Sequence, residues 1–556
     1  MKIFKYTSML ALAGAVAASS CTKMMDEIVP QGGSMIESQL QETTNALPAR
    51  GDASFTGMFT KLGDPLSFGN FSSDRPDNFS FVMMDFSNDL EGPDIATADN
   101  NYNWFSVCME YSSRNADYAN PYIRYRGCYD EIGRANDLIK MFGEINDEMS
   151  ADIKAKVAQA YAIRAFSYLH LAPYFQFNYQ IAADKPCVPI VTTEEIDYTH
   201  NPRATVQEVY DLIVADLTLA IENLEGYVRP DKAKIDQQVA YGLRARAYLD
   251  MGKWAEAAAD AAKAAEGYTP ASVEEVSHPT FMDISEHNWI WGYDMTPAVA
   301  QIYPAATSSS WIRSFSANGY SAGTQTYSCI NNLLYAKIPD TDVRKGWWVD
   351  ENLYSPLLDG LSWPWKNADG TSGTFVGQEI ATEEYDDKLI YLPYTNVKFG
   401  CATAGTVLNE EDWPFMRVEE MLLIQAEALY KSGKTAEGQK VLEDFVKTYR
   451  DPAYNVAATG RTFENEVWFQ RRVELWGEGF SNNDCRRLNK PVVRFHKGEK
   501  SSFPDNFQIN LANDDGWLLM RFCTPELNTN FSIVDNSDGT APEPGQNGDL
   551  RDGVTD

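Results

Sequence analysis

The sequence predicts a mainly α chain: a helical-pair scaffold with discontinuous repeats, carrying a loop-rich, short-strand insert that forms the ligand face. Three observations lead there. Apolar residues recur at helical spacing over 151–175 and 205–224. The stretch 237–270 places residues at the offsets of a helix–turn–helix repeat, and a weaker copy starts at Met421. Between the copies, about 280–410, the composition shifts to Ser, Thr, Gly, Asn, Pro, Trp and Tyr.

The N-terminus reads as a processing segment. Lys2 and Lys5 precede an apolar run, Met9 to Ala18, and the small residues Ser19-Ser20 lead to Cys21. Such a run rises roughly 15 Å as a helix, too short for a bilayer core of about 30 Å. A basic start, an Ala-rich core and a small-residue exit read as a secretory signal over 1–20. Ala18-Ser19-Ser20-Cys21 resembles a bacterial lipoprotein site, so Cys21 is the expected lipidation point. Asp26-Glu27 soon after it looks like a surface-export signal. Residues 21–50 then form a polar tether. Cleavage would remove Lys2 and Lys5 and take the net charge from −32 to −34.

The main domain is expected over 51–535. Residues 51–120 are loop-rich, and the acidic run Asp85–Asp99 reads as a solvated loop. Calcium there is unsupported, because Gly92 is not at the EF-hand position. From Ala151, the set Val157, Tyr161, Ala165, Tyr168 and Ala172 marks one face of a helix. Thr205 with Glu208 forms a capping box at the start of the next helix. Tyr248, Gly252, Trp254, Ala257, Ala264 and Pro270 fit one tetratricopeptide repeat; Ala426, Leu429, Gly433, Gly438 and Leu442 fit the second. Helical pairs are thus expected over about 120–270 and 413–490. Trp289 and Trp291 alternate on a short apolar strand and are expected to pack on the helices. Residues 536–556 hold few apolar side chains and read as a flexible acidic tail.

Composition excludes several functions. With 47 Lys+Arg against 79 Asp+Glu, the chain lacks the cationic surface that nucleic-acid binding needs. A hydrophobic share of 44% excludes a wholly disordered chain. The seven cysteines beyond Cys21 form no CxxC, so they read as small buried apolar residues, with Cys108–Cys128 as the one disulfide considered. The five histidines form no HExxH, and no GxSxG, P-loop or GxGxxG occurs.

Several stretches together resemble the SusD/RagB family of Bacteroidetes surface lipoproteins. They are Tyr129-Asp130-Glu131-Ile132 through Leu138, Ala158-Gln159-Ala160 through Phe166, and Met416-Arg417 through Leu429. The fullest match is Arg471-Arg472-Val473-Glu474-Leu475-Trp476-Gly477-Glu478-Gly479 with Asp484 and Arg486-Arg487. Ser481-Asn482-Asn483 departs from the usual Arg-Trp-aromatic triplet. Glu474 and Glu478, read as i, i+4 on one helix, are expected to be neutralised by Arg471, Arg472, Arg486 and Arg487 as architecture, since buried charges need partners. The resemblance implies a lipid-anchored protein on the outer membrane, facing the cell exterior. It implies capture of glycan, or in some members peptide, for a SusC-like TonB-dependent transporter, without catalysis or cofactor. A glycoside hydrolase is the remaining alternative; it needs two carboxylates across a sugar, and no motif for them is present.

Sugar rings stack on aromatics while their hydroxyls bond to amides, carboxylates and guanidinium groups. Three clusters suit this chemistry. Tyr102, Asn103 and Trp104 follow Asn100-Asn101; Trp311, Arg313 and Tyr320 lie in a Ser/Gly-rich segment; Trp347-Trp348 follow Arg344-Lys345.

Overall fold

The computed structural model describes residues 49–64, 76–78, 80–100, 104–297, 312–314, 326–366, 370–382, 391–402 and 410–556. Cys21 and the processing segment lie outside them. Helices dominate. In chain order the longer ones are α1 (Ala49–Thr60), α2 (Ser80–Glu91), α3 (Ala119–Phe142), α4 (Ala151–Phe175), α5 (Val206–Asn223), α6 (Gln237–Met251), α7 (Trp254–Ala264), α8 (Val418–Lys431), α9 (Thr435–Tyr449), α10 (Phe463–Glu474) and α11 (Ser481–Arg487).

Local rules set many of these boundaries. Ser150 accepts from the Ile153 amide at the start of α4, and Thr205 and Glu208 make the full capping box of α5. Gly252 ends α6 at φ +72°, a left-handed turn that any β-carbon would strain, and α7 starts two residues later. Consecutive helices α3 to α7 pack on their neighbours, and α7 then packs directly on α8, with α9 beyond. The long insert therefore interrupts the chain but not the row of helices.

Three short antiparallel ladders accompany the helices. β1 (Ile95–Ala96) pairs with β3 (Cys329–Ile330), β2 (Trp289–Tyr293) with β6 (Trp413–Arg417), and β4 (Ser362–Lys366) with β5 (Ser372–Val376). Residues 413–417, expected to open the second helical block, are thus a strand. All five are buried, so they read as a core strand rather than an amphipathic helix. Trp289 and Trp291 are fully buried, and Trp291 meets Phe166 of α4 edge-on at 4.8 Å. The main apolar core runs from Phe55 to Val554, and a smaller one gathers residues of α8, α9 and α10, among them Leu423, Leu442, Phe445 and Val467.

Three expectations fail against the structure. The acidic run is not a solvated loop: α2 is buried along its whole length, and Asp85, Asp89, Glu91 and Asp94 are all inside. Cys108 and Cys128 are both free buried thiols; Cys108 takes a hydrogen bond from Arg124, and burial pushes its thiol up to about 11. The stretch 536–556 is no flexible tail. Asp552 pairs with Arg472 at 2.7 Å, Val554 is buried, and the Gly553 carbonyl accepts from Asn465. Composition suggested disorder because few apolar groups are present; buried polar pairing supplies the order instead.

Glu131 of α3 provides a test of the buried charge. It is fully buried, its one ion pair among the described residues is with the Arg134 guanidinium at 3.0 Å, and burial pushes its carboxyl from 4.5 up to about 8. Between those pH values the folded chain binds more protons than the unfolded one. Stability from this group therefore falls as pH rises from 4.5 to 8. Glu131→Gln is expected to stabilise the fold by about 3 kcal/mol at pH 8, with the gain vanishing near pH 4.5. Urea midpoints across that range check it; an unchanged midpoint at pH 8 would refute it.

Candidate ligand face

A lattice of buried charge holds the strand that leads to Trp104. Glu474, the last residue of α10, accepts from Arg450 at 2.8 and 2.9 Å and from Arg417 and Arg344 at 3.3 Å. Glu478 lies beyond the helix end, in the turn, and takes Arg417 at 2.7 and 2.8 Å and Lys398 at 2.6 Å. Burial alone would raise the Glu474 carboxyl; Arg450, Arg417 and Arg344 outweigh it and hold it well below the usual carboxylate range. The same burial brings the Lys398 ammonium down to about 8 despite Glu478.

The pair is architecture, as expected, but its partners come from elsewhere in the chain. Arg471 pairs with Asp484, and Arg487 with Glu427 and Asp484. Arg486 donates to the carbonyls of Leu518 and Gln176. Arg472 pairs with Asp94 at 2.8 Å and Asp552 at 2.7 Å. Between Glu474 and α11 the chain turns sharply. A β-carbon on Gly479, at φ +90°, would stand 2.6 Å from that of Asp85. The amides of Gly479 and Ser481 both donate to Asp89 at 2.8 Å.

This lattice reaches the ligand face through Asp94, which stands immediately before β1. Its carboxylate is held by Arg472 and Ser481, and its carbonyl accepts from Trp476 and from the Asn331 amide. β1 and β3 are antiparallel, with Ala96 opposite Cys329. The end of β1 and the start of β3 therefore share one end of the ladder. Trp104 follows β1 by a short stretch. Asn396, fully buried, ties the insert together: its amide donates to the carbonyls of Ile312 and Ser328.

Trp104 is 40% exposed, while its neighbour Phe105 is buried and meets Phe86 edge-on at 5.1 Å. The backbone is anchored and the indole is presented. Tyr102, Asn103, Trp311 and Tyr320 lie outside the described residues. Arg313 does not face a ligand. It is buried and donates to the carbonyls of Gly400, Phe281 and Asp412, so it ties the insert together. Trp347 and Trp348 are also corrections: both are fully buried. The Trp347 indole donates to the Val276 carbonyl, and Trp348 meets Trp476 edge-on at 5.4 Å. The Lys398 ammonium lies over the Trp347 ring, 4.9 Å from its centroid.

Sequence reasoning missed Asn396, Lys398 and Asp94, because their partners stand far away in the chain. The one available signal was a lysine set between Val397 and Phe399 in an apolar stretch, which suggests a buried cation.

Residues 84–249 match a SusD-like family model described as "Starch-binding associating with outer membrane", and residues 384–538 match the model described as "SusD family". A curated relative, the SusD-like protein P2 of Formosa agariphila, is 26% identical over 426 residues, 74% of this chain and 79% of that protein. A SusD-like carbohydrate binding protein from Bacteroides vulgatus shares the fold with a TM-score of 0.66 at 23% identity, over 87% of this chain and 97% of that one. A laminarin binding SusD-like protein does so with a TM-score of 0.57 at 18% identity, over 88% and 98%. Among the described residues, no helix is long and apolar enough to cross a membrane.

Proposed function

The chain belongs to the SusD/RagB family, and we propose that it captures glycan at the cell surface and delivers it to a SusC-like TonB-dependent transporter, without catalysis. Cys21 is the proposed lipid anchor to the outer membrane. The observation that carries the reading is Trp104, an exposed indole on a backbone braced through Asp94 and Arg472. Rigid presentation of an aromatic ring lowers the ordering cost of stacking a sugar on it. The family description as starch-binding and outer-membrane associated supports the ligand class and the location. Tyr102, Asn103, Trp311 and Tyr320 are proposed to complete the face.

Calorimetric titration of the full chain with starch, laminarin and peptide pools tests the ligand class. Saturable glycan binding without release of new reducing ends is expected; saturation by peptides alone would favour peptide capture, and reducing-end release would favour a hydrolase. Trp104→Ala is expected to weaken glycan binding about tenfold or more with an unchanged unfolding midpoint, as loss of a central aromatic contact does. Unchanged affinity would remove Trp104 from the site.

A further inference from the structure

A concavity that Trp104 does not line lies between α4, α5, α6, α8 and α11. It holds about 110 Å³, on the order of the 150 Å³ that admits a benzene ring. Its rim includes the half-buried Gln176, Asn178 and Asn483, so it reaches solvent.

The charged lining is matched pair by pair. Glu420 takes Arg246, Asp484 takes Arg471 and Arg487, Glu478 takes Lys398 and Arg417, and Asp85 takes His170. Two lining groups, Asp250 and Arg486, make no ion pair among the described residues, and they are of opposite sign. No excess of either sign is left for an ion to neutralise.

Hydrogen-bonding capacity is left, however, and on one wall. Arg246 and Asp250 stand at i, i+4 on the same face of α6. Arg246 is drawn aside, with Nε and Nη2 spent on Glu420 and the Phe415 carbonyl. Asp250 is drawn aside as well, by the Tyr210 hydroxyl at 2.8 Å on Oδ2. The two therefore do not pair with each other. Arg246 Nη1 and Asp250 Oδ1 have no hydrogen-bond partner among the described residues, and both side chains keep some exposed surface where they line the cavity. Burial pushes the Asp250 carboxyl up to about 6, so above neutrality it is an acceptor. An N–H donor and a carboxylate held apart on one wall suit a hydroxyl, which accepts from the first and donates to the second. At the mouth, the Asn483 amide is also without a side-chain partner among the described residues and offers both a donor and an acceptor. Phe177, Phe415 and Phe480 supply apolar wall for the C–H face of a ring.

We propose that this cavity is a second ligand site, independent of the Trp104 face, for a neutral polyol of single-ring size: a monosaccharide. One hydroxyl bridges Arg246 and Asp250, a second meets the Asn483 amide, and the ring lies against the phenylalanine wall.

The test is calorimetric titration of the full chain with glucose, galactose and xylose, and with glucuronate and cyclohexanol as the charged and the hydroxyl-poor ring. At least one of the three sugars is expected to saturate a single site at about 1 mM. Glucuronate and cyclohexanol are expected to bind at least about tenfold more weakly, the first for its unanswered charge and the second for its missing hydroxyls. Asn483→Trp, which fills the mouth, is expected to abolish the binding. Asp250→Asn, nearly isosteric, is expected to weaken it several-fold while the circular dichroism spectrum is kept. Trp104→Ala is expected to leave it unchanged, so failure here and failure of the glycan face are separable. No saturation by tens of millimolar of any of the three sugars, equal affinity for glucuronate or cyclohexanol, full binding by a folded Asp250→Asn, or loss of binding in Trp104→Ala would each overturn the site.

Discussion

Glu474→Gln is expected to lower the unfolding free energy by about 3–5 kcal/mol, the cost of breaking a buried ion pair from one side. Three guanidinium groups share this carboxylate, and none can reach water: Arg344, Arg417 and Arg450 are fully buried. Each keeps a second partner, namely Asp342, Glu478 with Glu419, and Glu419. That limits the damage to destabilisation rather than failure to fold. The pH dependence has a definite sign. The Glu474 carboxyl is held below its unfolded value, so its contribution is complete above about pH 5 and fades as pH falls through 4.5. Urea midpoints of the two proteins should differ by a constant amount from pH 8 to 5 and converge in acid. Equal midpoints at pH 7 would show that the lattice contributes no stability.

Ending the chain at Gly545 is the second large perturbation. It removes Asp552 from Arg472, withdraws the buried Val554, and strips the Asn547 and Gly548 carbonyls from Asn510 and Lys497. About 3–5 kcal/mol of stability should be lost, most of it through the buried Arg472. Asp552→Asn alone should reproduce a large part. Because Arg472 also holds Asp94 at the base of β1, the truncated chain should bind glycan more weakly even where it stays folded. A truncated chain with the parental midpoint would mean that the last residues do not pack in solution.

These two predictions mark where reading along the chain failed. Residues 536–556 and Asp85–Asp99 looked solvated because charged residues are expensive to bury. That expense is met here by partners far away in the chain: Arg472 for Asp94 and Asp552, and the Gly479 and Ser481 amides for Asp89. Likewise Trp347, Trp348 and Arg313 looked like ligand contacts because an aromatic or guanidinium group in a polar insert suits a sugar equally well. Their burial depends on what folds over them. Glu474 and Glu478 were correctly read as structural, but their arginines were sought nearby, and the main ones came from β6, the end of α9 and the insert.

The existence and limits of α4, α5 and α6, by contrast, were determined by local physics. The period of apolar residues in α4, the Thr205–Glu208 box of α5 and the left-handed Gly252 after α6 all act within a few residues, so they are legible in order along the chain. The family, too, was legible, since the signature around Arg471–Gly479 is contiguous. Which acids are buried, which cations answer them and which rings reach water were decided only by the tertiary structure. Burial is a property of distant segments meeting, and for a charge or an indole the free energy turns on the partner it meets rather than on its neighbours in sequence.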